Sequence, residues 1–379
     1  MNICCVATTV HISSKFEECI GATTHTFAVA KELQRLGNNV FIVSNKWKND
    51  SSFEIVEGVP VHRLARGIVA HSKELKRPVV RPFFQKLRFF SDAWMAIKIA
   101  FLIKQNKCDA ILERAHSRLV GAMASILTGK PLFIEVIDNY FSKQALKRAK
   151  KIFAYTDAFF SSEEKKKLLL VNAGFDPDLF RPLDCKAEFD VCYVGAFKPW
   201  DGVEDLVFAI KKTMQKKPGI KALLVGTGDR FEIVKALVEE NGLWENISFT
   251  GVLPLGDVAM QICKSRVCVA PYNTKKYKKS EFERFGFYFS PLKVIEYIAC
   301  GKPVVATRLP IIESMVSEKN GALFEEGDCD DLAEKIVETI DRKDFEEIKK
   351  FNLELSKKFV WGKTAEKINE EILKQLNMV

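Results

Sequence analysis

An α/β chain with two Rossmann-like, doubly wound domains facing a cleft is the fold class this sequence predicts, and three observations predict it. Runs that are apolar throughout, such as ICCV at 3–6, LFIEV at 132–136 and VCVA at 267–270, alternate with helical patterns, as in parallel sheets covered on both faces. At 379 residues and 47% hydrophobic, the chain can fill two cores and is too long for one ordinary domain. The alternation breaks at VNAGFDPDLFRPL (171–183), where Gly174, Pro177 and Pro182 mark a boundary.

In chain order, residues 2–10 (NICCVATTV) read as a buried strand. Phe27, Ala30, Leu33 and Leu36 share one face of a helix from Ala22 to Leu36, with Gly37 as its stop. Gly21 lets the backbone approach a phosphate or sugar, or makes an ordinary turn, since no G-x-G-x-x-G follows. Val40–Ser44 is the next strand. Residues 78–107 are basic and aromatic: Phe83, Phe84, Leu87, Phe90, Trp94, Ile97 and Phe101 recur at helical spacing among Arg88, Lys98 and Lys104. For the longer part of this helix the expectation is an aromatic stripe packed on the sheet with cations facing water. The Phe83–Phe90 portion is the candidate for an anionic membrane surface.

Ala110–Glu113 and Leu132–Val136 read as strands around a helix near Leu119–Leu127, and Phe153–Ser161 continues the pattern. Ligands on parallel sheets sit off the carboxyl ends of the strands. Glu113, Arg114 and His116 after one strand, and Glu135 and Asp138 at the end of the other, are therefore expected to point towards the cleft.

The second series begins with FDVCYVGAF, followed by a KPWDG turn and a helix over Val203–Gln215. KALLVGTGD, ISFTGVL and VCVAPY repeat the unit; Gly321–Phe324 is a last strand, Asp331–Ile340 a helix, and Thr364–Leu376 an amphipathic helix. Gly195, Gly226, Gly228 and Gly251 fall just past strands, where backbone must approach something closely.

The segment SPLKVIEYIACGKPVVAT (290–307) carries the strongest chemical signal. Ser290 suits an N-cap, Pro291 the first helical position, and Gly301 with Lys302-Pro303 ends the helix and opens a strand. The helix is apolar almost all round, so Glu296 inside it requires a partner, a protein group or a ligand. The helix start, with free N–H groups and the positive end of its dipole, favours an anion.

The net charge of +9 fits an anionic ligand or a lipid surface and is no nucleic-acid signature. Ten cysteines without a C-x-x-C, and no clustered histidines, read as small buried hydrophobes in a reducing compartment, with neither a disulfide framework nor a metal site. The N-terminus has no basic n-region and no apolar run approaches the roughly 18 residues of a membrane span. A cytoplasmic protein, peripheral on the inner membrane face if the basic aromatic segment binds lipid, is the expectation.

From about 189 to 335 the chain resembles the GT-B glycosyltransferases of family 4, often called group 1. YVGAFKPWDGVEDL resembles that family's strand and lysine-glycine turn, NISFTGVLP its base-side loop, and SPLKVIEYIACGKPVVAT its donor helix. VNAGFDPDLFRP resembles its interdomain linker, and GATTHTFAVAKELQRLGNNV, less specifically, its first helix. The resemblance implies an acceptor-side domain over 1–172 completed by the helix at 362–379, a linker at 173–186, and a nucleotide-sugar-binding domain over 187–361. It also implies a retaining transfer of a hexose-type sugar from a nucleotide-sugar to a glycan or lipid-linked acceptor, with no cofactor, no metal and no nucleic acid as partner. Glu296 would accept the ribose hydroxyls. Ser290, Pro291, Leu292 and Lys293 would present the helix start to the diphosphate, Lys198 would add charge, and Gly21, Gly195, Gly226 and Gly228 would border the donor. The family's acceptor-loop histidine falls at Ile137, leaving Asp138 as catalytic candidate beside Glu113, His116 and Glu135. Tyr288 stands where the family has a first glutamate, with Glu283 upstream; Ala196 and Asp201 replace an arginine and a lysine. These departures keep two other readings open: a nucleotide-sugar-binding protein without turnover, and a nucleotide-sugar epimerase.

Overall fold

The computed structural model describes residues 1–14, 21–47, 49–65, 81–276 and 280–378, and it divides into two compact units, Met1–Ala173 with Trp361–Val379, and Gly174–Val360. The first unit contains β1 (Asn2–Ala7), α1 (Gly21–Arg35), β2 (Asn39–Asn45), β3 (Phe53–Val56), β4 (Val59–Leu64), α2 (Arg81–Gln105), β5 (Ala110–Arg114) and α3 (Val120–Thr128). It continues with β6 (Leu132–Val136), α4 (Lys143–Arg148), β7 (Lys151–Ala154), α5 (Ser162–Lys165) and β8 (Leu168–Leu170). These strands form one sheet in the order β3-β4-β2-β1-β5-β6-β7-β8, parallel except for β3 against β4. The first strand stops at Ala7, where Val10 N–H turns back onto the Ala7 carbonyl, and the strand expected over Phe153–Ser161 covers only Lys151–Ala154.

The second unit contains β9 (Phe189–Val194), α6 (Val203–Thr213), β10 (Ala222–Val225), α7 (Phe231–Glu240), β11 (Ile247–Gly251), α8 (Leu255–Cys263), β12 (Ser265–Ala270) and α9 (Ser280–Phe285). Then follow α10 (Leu292–Ala299), β13 (Val304–Thr307), α11 (Pro310–Glu313), β14 (Gly321–Phe324), α12 (Cys329–Ile340) and α13 (Phe345–Ser356). Its sheet is wholly parallel in the order β11-β10-β9-β12-β13-β14. The chain returns to the first unit in α14 (Trp361–Gln375), which packs on α1 through fully buried Ala365, Ile368 and Ile372.

Both sheets reverse their winding once, between β1 and β5 in the first unit and between β9 and β12 in the second. Outside the carboxyl ends of such strand pairs a doubly wound sheet leaves room for a ligand.

Helix α2 corrects one expectation. Met95, Ala96, Ile99 and Ile103 form its packed face, while Phe90 (66%), Trp94 (59%), Ile97 (52%) and Phe101 (68%) face solvent. The aromatic row of the longer part is thus outside, with Lys98 Nζ 5.1 Å from the centre of the Trp94 ring. The side chains of residues 81–87, Phe83 and Phe84 among them, and all of residues 66–80 lie outside the described residues. No helix among the described residues is long and apolar enough to cross a membrane.

Candidate functional site

The second unit's reversal point is built from three segments: the tail of β9 (Gly195–Asp201), the tail of β12 (Pro271–Lys276) and the start of α10. The two tails touch, for Asn273 N–H donates to the Trp200 carbonyl at 2.9 Å. Gly202, at φ 66°, lets Pro271 O come so near that an added Cβ would lie 1.7 Å from it. Helix α10 is pinned across the reversal by Tyr297, whose hydroxyl accepts from Val194 N–H at 2.7 Å and donates to Val269 O at 3.4 Å.

Helix α10 begins differently from the sequence reading. Pro291, at φ −80° and ψ 58°, occupies the N-cap place, and Ser290 precedes it without capping. The Ser290 Oγ is buried and has no hydrogen-bond partner among the described residues. A buried hydroxyl at a helix start is a polar group awaiting one. Leu292, half-buried, opens the helix itself.

Lys293 is buried. Its ammonium donates to Asp201 Oδ1 at 2.7 Å and Tyr193 OH at 3.1 Å, and lies 4.5 and 4.6 Å from the ring centres of Tyr193 and Tyr272. Asp201 Oδ2 meanwhile accepts from Lys198 N–H at 3.2 Å, which closes the KPWDG turn. The Lys198 side chain points outward and pairs with Asp229 at 3.1 Å.

Glu296, one turn beyond Lys293, is half-buried. Desolvation pushes its carboxyl up to about 8, against a smaller opposing pull from Lys293. Among the described residues it makes neither an ion pair nor a hydrogen bond through its side chain. A desolvated carboxyl with free lone pairs is a ready acceptor for hydroxyl groups.

Three of the strand-end glycines, Gly195, Gly226 and Gly228, are pressed closely on protein atoms. At Gly226, φ 119°, a Cβ would stand 2.0 Å from Gly195 O; at Gly195, φ 153°, it would stand 2.9 Å from Lys293 Nζ. Gly228 is likewise pressed on the Phe197 backbone. Tyr288 is buried among Phe282, Phe285 and Phe289, and Glu283 is exposed on α9.

In the first unit the acceptor-side candidates are engaged internally. Glu113 turns under α3, accepting Gly121 N–H at 2.9 Å; burial pushes its carboxyl up to about 8, although that bond lowers it. His116 Nδ1 accepts Arg118 N–H at 3.0 Å, so Nε2 carries the proton and donates to Thr8 Oγ1 at 3.2 Å, joining the tails of β5 and β1. Glu135 accepts from His25 Nε2 at 3.0 Å, and the Tyr155 hydroxyl donates to His25 Nδ1. Of the set only Asp138 is well exposed, at 39%, capping its own turn at Tyr140 N–H (2.9 Å) and 3.9 Å from Arg114. Gly21 opens α1 directly after residues 15–20, which are not described.

Sequence reasoning missed Tyr193, Tyr272, His25 and Tyr155. For the first two a signal existed: an acid replaces the usual lysine at the turn while a lysine stands on the buried face of α10, and a buried cation needs both a counter-ion and aromatic or polar cover. His25 offered none, since one histidine on an apolar helix face looks like core.

Residues 188–342 match the family described as glycosyl transferases group 1. The chain is similar to an uncharacterized glycosyltransferase of Methanocaldococcus jannaschii, 25% identical over 368 residues that cover 93% of this chain and 95% of the relative. It is also similar to D-inositol 3-phosphate glycosyltransferase of Segniliparus rotundus, 24% identical over 73% of this chain and 67% of that one. Among solved structures, sucrose-phosphate synthase of Thermosynechococcus elongatus superposes with a TM-score of 0.75 at 17% identity, over 100% of both chains. HepE of Anabaena, in complex with UDP and glucose, gives 0.68 at 17% identity over 99% of this chain and 100% of its own.

Proposed function

Starting from a chain of GT-B fold whose residues 188–342 match the group 1 glycosyl transferases, we propose that it moves a hexose-type sugar from a nucleotide-sugar to a glycan or lipid-linked acceptor, with retention of configuration and without a metal ion. The observation that carries the proposal is Glu296, a desolvated carboxyl with no side-chain partner among the described residues, on a helix whose start holds an unpartnered buried hydroxyl. Those features meet the two ends of a nucleotide-sugar's polar half. Ribose hydroxyls donate to Glu296; the diphosphate meets the free N–H groups of α10, the Ser290 hydroxyl and, beyond them, Lys198. Helix-start donors aimed at the departing phosphate favour the transition state because negative charge grows there as the sugar leaves, an effect worth about 10²–10³ in rate per donor. UDP in the HepE structure and the GDP-mannose dependence of a related Corynebacterium glutamicum mannosyltransferase support a nucleotide-sugar as donor.

For the acceptor, the exposed row Phe90, Trp94, Ile97 and Phe101 with Lys98 and Lys104 beside it supports a lipid-linked substrate met at an anionic membrane surface, as in polysaccharide assembly at the inner face of the cell membrane. The reaction is tested by incubating the protein with UDP-, GDP- and ADP-hexoses and lipid-phosphate or glycan acceptors, with and without EDTA. Transfer that is indifferent to EDTA and gives a product of unchanged anomeric configuration supports the reading. One observation favours a second: Asp201 neutralises Lys293, leaving the diphosphate fewer free cations than transfer would use. Tight donor binding with no turnover under any acceptor would mean a binding protein.

A further inference from the structure

A cavity of about 700 Å³ opens at the amino ends of β12 and β13, the edge opposite the site above, and three cysteines line it: Cys185, Cys263 and Cys300. Cys263 is the last residue of α8, Cys300 is the C-cap of α10, and Cys185 lies in the segment that leads into β9. Cys300 donates its thiol hydrogen to the Cys263 sulfur, and Cys185 and the Leu183 N–H also reach that sulfur. Cys263 in turn donates to the Arg181 carbonyl at 3.4 Å, and Lys302 Nζ sits on the Cys263 carbonyl at 2.6 Å. Lys302, Arg266 and Lys349 line the same cavity.

This arrangement differs from that of the two cysteines of β1. Cys4 and Cys5 are buried in β1, and burial pushes both thiols up, which makes them inert. The cluster combines mutual contact, access from a cavity and a neighbouring cation. The hydrogen bond from Cys300 holds Cys263 down to about 6 despite its burial, while giving that bond pushes Cys300 up. Cys263 is thus the sulfur that ionises first, and Cys300 keeps its hydrogen.

We propose that Cys263 and Cys300 form an oxidisable dithiol that hydrogen peroxide closes to a disulfide, tying the end of α8 to the end of α10. Cys263 gives up the hydrogen it shares with the Arg181 carbonyl and attacks one peroxide oxygen as the thiolate; the O–O bond breaks, and the departing hydroxide takes that proton to leave as water. The Cys300 sulfur then attacks the Cys263 sulfenic acid; the S–O bond breaks, and the hydroxyl leaves with the Cys300 proton as a second water. Two thiols and one peroxide give one disulfide and two waters. The tie falls on the helix that carries Glu296 and whose other end is the proposed anion seat, about 12 Å away at 1.5 Å per residue.

The test is mass spectrometry of the intact wild-type chain after treatment with equimolar peroxide, followed by alkylation and peptide mapping. The expected result is a loss of about 2 Da, recovered on reduction, with the 263 and 300 peptides linked. Cys300→Ser combined with Cys185→Ser, which removes the other thiol that reaches Cys263, should instead leave a Cys263 sulfenic acid that dimedone traps. Two wild-type results would overturn the proposal: both cysteines remaining alkylatable after peroxide has oxidised other thiols, or Cys263 passing to sulfinic acid with no cross-link.

Discussion

Lys293 and Asp201, 92 residues apart, form a buried ion pair of 2.7 Å beneath the tail of β9, capped by the rings of Tyr193 and Tyr272. The pair decides the character of α10. It consumes the lysine charge at the first turn, so Glu296 one turn later is left without a counter-ion, and the helix start itself presents amide N–H groups and a hydroxyl in place of an ammonium.

Because both partners are buried, removing one strands the other. Asp201→Asn and Lys293→Met are each expected to lower unfolding free energy by about 3–5 kcal/mol, and the double variant by less than either alone. Urea denaturation of the four proteins measures this; additive losses would mean the two side chains do not act as a pair.

Stability should also carry a pH signature of defined sign. Glu113 and Glu296 are pushed from 4.5 to about 8, so between those values the folded chain holds protons that the unfolded chain has released. Their contribution is fully present below about pH 4.5 and is lost as pH rises through 8. Urea midpoints taken between pH 6 and 8.5 should therefore fall, and Glu113→Gln with Glu296→Gln should flatten the slope; an unchanged slope contradicts the assignment.

How much of this was readable beforehand varies by element. The strands and α10 were legible because a buried parallel strand must be apolar throughout and because proline and glycine punctuate helices. The β3–β4 hairpin was not, since its two-residue turn puts Glu57 at φ 45° beside Gly58, a conformation glutamate seldom signals. Helical spacing grouped Phe90, Trp94, Ile97 and Phe101, yet periodicity cannot say which of two apolar faces the rest of the protein covers; Met95, Ile99 and Ile103 won that place, on a helix packed against α3. Glu296 was legible through incongruity, as an acid in an apolar helix, whereas the internal bonds of Glu113, His116 and Glu135 depend on residues far off in sequence.

That outward row gives a third prediction. Trp94→Ser with Phe101→Ser should lower affinity for phosphatidylglycerol vesicles about tenfold or more, since each exposed ring contributes roughly 1.5–3 kcal/mol when buried in an apolar phase. Wild-type binding should weaken with salt and be slight on phosphatidylcholine. Sedimentation with vesicles decides; unaltered binding by the variant would place lipid contact elsewhere.

Backbone crowding at the second unit's strand ends gives a fourth. Gly226→Ala, which would force Cβ to 2.0 Å from Gly195 O, should cost more than about 3 kcal/mol, while Gly251→Ala, at φ 68° with open space, should cost about 1–2 kcal/mol. Thermal unfolding of the two variants ranks them; equal losses would contradict the packing.

The central claim is that a bound sugar nucleotide satisfies Glu296. Isothermal titration of wild type and Glu296→Gln with the nucleotide-sugar that binds, in buffers of different ionisation enthalpy at pH 7, tests it most directly. Hydroxyl donors favour the ionised carboxylate, so wild type should release roughly 0.5–1 proton on binding, and the variant, no less stable at this pH, should release none and bind about tenfold or more weakly. Equal affinities with no proton released by either protein would contradict the account.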